Sequence, residues 1–191
     1  MAAARDLPVL EVPDRAALRA WLEANHAISA GVRLAIGNKG STATALTYEE
    51  AVLEALAFGW IDSTAHALDA ERHTVAFVPR RRGGTWARTN KARVERLTAD
   101  GLMTPAGLAV IEAAKADGSW TTLDDIEALV VPPDLSAALS AEPDAERAFH
   151  SRSAPQRKLA LYWIASAKRV ETRARRVADI VRAAAEGRPL R

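Results

Sequence analysis

Cysteine is absent from this chain. Disulfides, thiolate metal sites and cysteine nucleophiles are therefore excluded. Aromatic residues are scarce, at 5% of the sequence, so bulky packing falls to five tryptophans and three phenylalanines among many small alanines. No apolar run reaches the ~20 residues that span a bilayer. Arg5 and Asp6 interrupt the amino-terminal stretch before it can form a secretory h-region. The expectation is a soluble cytoplasmic protein. Also missing are the HExxH, GxSxG and dinucleotide patterns, and Gly37–Thr42 (GNKGST) lacks phosphate-loop spacing and reads as a turn.

What remains is an alanine-rich chain of 191 residues with 49% hydrophobic content, enough for one large domain or two small ones. A chain of this size buries roughly 70% of its unfolded surface. The net charge is only +2 but unevenly spread. Residues 80–96 carry seven Arg or Lys against Glu95, and residues 157–182 carry eight against Glu171 and Asp179. Acidic residues gather near 117–146. Such segregation points to an anionic partner or to solvated basic faces.

The local signals predict an α+β fold. Val9–Val12 reads as a strand, and Asp14 caps a helix to Asn25 with Leu18, Trp21 and Leu22 on one stripe. Val32–Ile36 alternates as a strand. Thr47 and Glu50 form a capping box for a helix that stops at Gly59. Trp60–Ala67 and Arg72–Arg80 form a hairpin, Thr85 caps a helix to Ala99, and Thr104-Pro105 starts another. Residues 1–116 are expected to form this α+β domain, a small mixed sheet with packed helices. Residues 117–133 read as a linker. Residues 134–191 read as an all-α segment in which a second capping box, Ser153 with Gln156, opens one long helix carrying Leu159, Trp163, Ser166, Val170, Ala174, Val177 and Val181 at helical spacing.

The chemistry concentrates between Phe58 and Asn90. Taking Val75 and Phe77 as core, with Ile61 and Ala65 opposite them, the hairpin places Trp60, Asp62 and Arg80 on one face. A one-residue slip reverses that arrangement. Gly83 and Gly84 before a helix let backbone N–H groups converge on an anion, with Arg81 and Arg88 nearby and Asn90 within reach. The candidate ligand-binding residues are Trp60, Asp62, Arg80, Arg81, Trp86 and Asn90. In this reading Arg80 holds an anionic group, Asp62 orients the guanidinium, and the indoles form a wall. Asp62 has no second catalytic group, so hydrolysis is the weakest reading. The four histidines (His26, His66, His73, His150) without thiolates make a poor metal site, and no cofactor is expected.

An ordered series of short strings resembles the YdeI/OmpD-associated family, also called bacteriocin-protection proteins. The strings are Trp21-Leu22, Leu46–Val52, Gly59–Ser63, Pro79–Arg81, Trp86 with Asn90, and Gly101–Gly107. They continue in Trp163-Ile164, Ala167–Arg169 and Glu171–Arg173, so the series runs essentially end to end. Thr85 and Ala87 stand where the family has serines, which removes support for a serine nucleophile there. The resemblance implies a part in envelope stress or bacteriocin tolerance, with no reaction attached. Together these lines predict a non-catalytic binding protein for a small anion or a protein partner. The alternative is a nucleic-acid-binding protein that uses the basic segments 80–96 and 157–182, whose carboxy-terminal ridge (Arg169, Arg173, Arg176) lacks interleaved aromatics.

Overall fold

Asp14 accepts a hydrogen bond from Ala17 N at 2.8 Å, and that contact starts helix α1 (Arg15–Asn25). The computed structural model describes residues 4–190 and divides after Trp120 into two compact units. In the first unit, a 3₁₀ turn (Ala4–Asp6) and β1 (Val9–Leu10) precede α1. Then follow β2 (Val32–Gly37), α2 (Tyr48–Ala57), β3 (Trp60–Ala67), β4 (Arg72–Pro79), α3 (Arg88–Ala99) and α4 (Pro105–Ala116). The sheet runs β1-β2-β4-β3, with β1 parallel to β2 and the other pairs antiparallel. This is the α+β mixed sheet that the strand signals predict.

Alternation along β2 and β4 sends Val32, Leu34, Ile36, Val75 and Phe77 into a core shared with Leu18, Leu22, Val52 and Leu56. Each such side chain contributes ~1.5–3 kcal/mol by burial. Inside this apolar layer sits one carboxylate. Glu54 is 2% exposed and accepts from Arg15 Nε at 2.6 Å and from Arg19 Nη1 at 3.0 Å. Arg19 also donates to Leu102 O at 3.4 Å, so α1, α2 and the loop before α4 are tied together.

The connection between α2 and α4 is equally constrained. Thr104 donates to Ala57 O from its amide at 3.1 Å and from its hydroxyl at 2.7 Å. A Cβ on Gly107 would lie 2.2 Å from that same carbonyl oxygen, so no larger residue fits without moving the helix.

The hairpin keeps the expected register at its loop end, where Ala65 faces Val75, and takes the slipped one at its base. Trp60 faces Pro79, Asp62 faces Phe77 and Ala65 faces Val75, with an irregularity between Asp62 and Ala65. Trp60 and Asp62 therefore share the Val75–Phe77 face, and Arg80 falls in the alternate set one residue past Pro79. The expected common face of Trp60, Asp62 and Arg80 is corrected by this pairing. The physical reason is Trp60 itself: it is 1% exposed, and an indole that buries ~150–250 Å² wins the core position. Helix α3 also starts later than expected, with Ala87 at its cap and no side-chain cap bond.

The second unit is all helical: α5 (Asp124–Glu127), α6 (Pro133–Ser140), α7 (Pro143–Ser151), α8 (Ala154–Ala165) and α9 (Val170–Ala185). Leu135, Leu139, Phe149, Leu161, Ile164, Ile180 and Val181 form its core. The predicted long carboxy-terminal helix is in fact two. Ser166 Oγ donates to Trp163 O at 2.9 Å, and Arg176 of α9 reaches back to the same carbonyl and to Ser166 Oγ. The turn at Ser166–Arg169 lets α9 fold back and pack on α6 and α7, whereas Val170 is left 80% exposed.

Replacing Glu54 by alanine leaves two arginines facing an uncompensated apolar wall. It is expected to cost about 3 kcal/mol in urea unfolding, and Arg15→Ala is expected to cost less because that side chain reaches solvent. Gly107→Ala is expected to cost about 2 kcal/mol by the same measurement, through overpacking against Ala57 O.

Candidate functional site

Gly59 closes α2 in the left-handed region, at φ +76, and its carbonyl accepts from Arg80 N at 3.0 Å. Helix α2 and the hairpin thereby fix where Arg80 leaves the sheet. The chain then turns through Arg81–Gly84, where Gly84 N donates to Arg81 O at 3.1 Å and Gly83 takes φ +72. Beyond the turn Trp86 drops into the core, 2% exposed, and meets Trp120 with ring centroids 4.9 Å apart.

The Arg80 guanidinium lies over the Trp86 ring, 3.7 Å from its centroid. Nη1 donates to Thr85 O at 3.3 Å. Nε and Nη2 are buried and have no hydrogen-bond partner among the described residues. Burial lowers the Arg80 pKa to about 10, with the charge of Asp62 opposing the shift, so the group stays cationic at neutral pH. Arg80 and Trp86 line a hollow of about 70 Å³ together with Arg81, Arg82, Gly83, Asp117 and Ser119. That space suits a few waters or one small oxyanion. Asp117 closes one side, accepting from Gly83 N at 3.2 Å and from Ser119 N at 3.0 Å.

A second polar cluster gathers around Asp62, whose charge also acts on Arg80. Tyr48, at the start of α2, donates its hydroxyl to Asp62 Oδ2 at 2.6 Å. Arg93 of α3 binds Glu49 through Nε at 3.0 Å and Nη2 at 2.6 Å, and donates to Asn90 Oδ1 at 2.9 Å. Burial and the Asp62 contact push the Tyr48 phenol up to about 12. Glu49 is held below the usual carboxylate range by its hydrogen bond to Arg93.

The six sequence candidates thus separate into three places. Arg80, Arg81 and Trp86 meet at the hollow. Asp62 and Asn90 belong to the Tyr48–Arg93 cluster. Trp60 is a core residue, with Nε1 donating to His26 O at 3.3 Å and its ring edge-on to Trp21 at 6.0 Å. Sequence reasoning missed Tyr48, Arg93, Asp117 and Ser119 as partners. Asp117-Gly-Ser119 carried a signal, because aspartate two residues before an amide is an Asx turn. Tyr48 and Arg93 carried none: a capping box and a basic helix face look ordinary. Among the described residues no three His, Asp or Glu side chains gather as a metal-holding group. No helix among them is long and apolar enough to cross a membrane.

Residues 10–110 match the model of a family described as a domain of unknown function (DUF8412), just over half of the chain. The chain belongs to this family. The DUF8412 match includes both the hollow's arginines and the Tyr48–Asp62 pair, and Asp117 and Ser119 follow it in the chain. Residues 128–187 match a second model, described as Bacteriocin-protection, YdeI or OmpD-Associated. The resemblance drawn from the sequence is therefore found in the carboxy-terminal segment, and the strings from Trp21 to Gly107 fall within the DUF8412 match. No curated protein and no solved structure matches the chain.

Tyr48 and Tyr162 are the only tyrosines. In Tyr162→Phe protein an ultraviolet difference titration should therefore report Tyr48 alone, ionising at about 12. Asp62→Asn is expected to bring the midpoint down by removing the acceptor and its charge. The phenol is stabilised in its protonated form, so its contribution to stability is present below the unfolded value of about 10 and is lost as pH rises through the folded one. A midpoint near the unfolded value, while circular dichroism still reports the fold, contradicts the Tyr48–Asp62 contact.

Proposed function

We propose that this protein is a non-catalytic binding protein acting in bacteriocin protection or a related stress response, and that it takes a small anion, or an anionic group of a protein partner, in the Arg80–Trp86 hollow. The family match over residues 128–187 supports the biological setting. The observation that carries the binding site is the pair of unpartnered, buried donors on Arg80 beside a hollow that two further arginines line. Leaving a buried donor unsatisfied costs about 1–3 kcal/mol, more on a charged group. A bound oxyanion would offset that cost through charge-assisted hydrogen bonds. Stacking on Trp86 contributes to holding the guanidinium in place, worth roughly 0.5–2 kcal/mol.

The nucleic-acid alternative has less support. Several arginines of the two basic segments are spent inside the fold: Arg93 on Glu49, Arg173 on Asp134, Arg176 on Trp163 O and Ser166, and Arg182 on Asp179. Side chains held this way are poorly placed to release counterions from a phosphate backbone.

The test pairs calorimetry with survival. A panel of small anions (acetate, citrate, phosphate, sulfate), titrated at constant ionic strength, should include at least one saturable ligand. Arg80→Ala should abolish that binding while changing unfolding stability by no more than about 1 kcal/mol, because the lost stack and the relieved burial offset each other. In the native host, loss of the protein should sensitise cells to a bacteriocin, with wild-type but not Arg80→Ala protein restoring survival. Binding that persists in Arg80→Ala would remove the hollow from the account.

A further inference from the structure

The hollow is not uniformly cationic. Arg80, Arg81 and Arg82 line it, but so does Asp117. The Asp117 carboxyl is held below its ordinary range, first by the hydrogen bond from the Ser119 side chain, then by the Ser119 N–H, with the Gly83 N–H contributing further. It is therefore ionised at neutral pH and can only accept hydrogen bonds. Its oxygens take Gly83 N at 3.2 Å and Ser119 N at 3.0 Å. A carboxylate has about four acceptor positions, so capacity remains for a donor on a ligand.

That combination sets a chemical condition. An oxyanion seated against the arginines brings its remaining oxygens toward Asp117. An oxygen without a proton then sets lone pairs against lone pairs and negative charge against negative charge. An oxygen that keeps its proton donates to the carboxylate instead. Sulfate keeps no proton at neutral pH, whereas phosphate keeps at least one. The two ions are otherwise alike in size and tetrahedral shape, so the arginines and the hollow of about 70 Å³ do not distinguish them.

Resting on the anion-site reading above, we infer that the hollow selects a small oxyanion that retains an O–H, namely inorganic phosphate, and rejects sulfate through Asp117. Asp117 is then the specificity-determining residue, and the arginines supply charge without discrimination. A hydrogen bond gained in place of an acceptor clash is worth at least about tenfold in affinity.

The experiment titrates inorganic phosphate, sulfate and methyl phosphate into the full-length protein by calorimetry, near pH 7 and at constant ionic strength set with chloride. Thermal shift alone is unsuitable, because both ions stabilise folded proteins by exclusion. Phosphate is expected to bind at least about tenfold more tightly than sulfate. Methyl phosphate, whose second pKa of about 6 leaves it largely a dianion without an O–H near pH 7, is expected to bind clearly more weakly than inorganic phosphate; comparable binding contradicts the proton-donor requirement. Asp117→Asn, whose amide can donate, is expected to admit sulfate and shrink the preference to within about threefold. Should that variant fail to fold, the wild-type comparison still decides. Equal binding of sulfate and phosphate to the wild-type protein overturns the proton-donor requirement while leaving the anion site standing. Binding of neither ion overturns both.

Discussion

A guanidinium held over an indole in a poorly solvated place organises the candidate site of this protein. Arg80 has one carbonyl partner, one aromatic partner and two buried donors with none. The surrounding elements hold it there. Gly59 pins its backbone amide, the Gly83 turn brings Trp86 beneath it, and Trp120 packs on that indole from the turn after α4. Burial of the ring is thus what fixes the charge in position. In the proposed anion-binding role, the arrangement costs stability when unliganded and is repaid on binding, a trade characteristic of binding sites.

The basic character of the chain divides along the same line. Most of its arginines for which contacts are resolved neutralise carboxylates or tie off carbonyls. Arg15 and Arg19 clamp Glu54 between α1 and α2, Arg72 joins Glu11 to Asp69, and Arg173 holds Asp134 across the second unit. The exposed pairs among these contribute little energy individually, unlike the buried Glu54 clamp, but all of them occupy side chains that composition alone presents as available. Part of the uneven charge seen in the sequence is therefore internal wiring, and at the hollow cationic groups line an open space.

Much of the fold was legible because its boundaries are chemical. Asp14, Thr47 with Glu50, Thr104 before Pro105, and Ser153 with Gln156 each cap the helix that their side chains predict. The hairpin ends were legible for a similar reason: the Asp69 carboxylate gathers the amides of Glu71 and Arg72 at the turn. The register at the hairpin base was not. Ile61 and Trp60 are both apolar, and local alternation does not say which of two adjacent apolar residues takes the core; only the depth of the space between α1, α2 and the sheet decides for the indole. Thr85 failed as a cap because Trp86 had to enter the core first, which delays α3 to Arg88. The break between α8 and α9 was hidden because Ser166 fits the helical period as well as a turn. Of the candidate site, Arg80, Arg81 and Trp86, which line the hollow, stood out by the density of such residues along the chain. Asp117 was missed because it lies 34 residues from the Gly83 amide it binds.

The central claim is that the Arg80 donors face a ligand. Nitrogen-15 NMR of arginine side chains tests it most directly, since the Arg80 Nε–H, shielded and stacked on Trp86, should give a resonance apart from the exposed arginines. On titration with inorganic phosphate at constant ionic strength the account predicts a saturable shift of that resonance, together with the Trp86 indole N–H. Movement of exposed arginine signals alone, in proportion to anion concentration and without saturation, would contradict it.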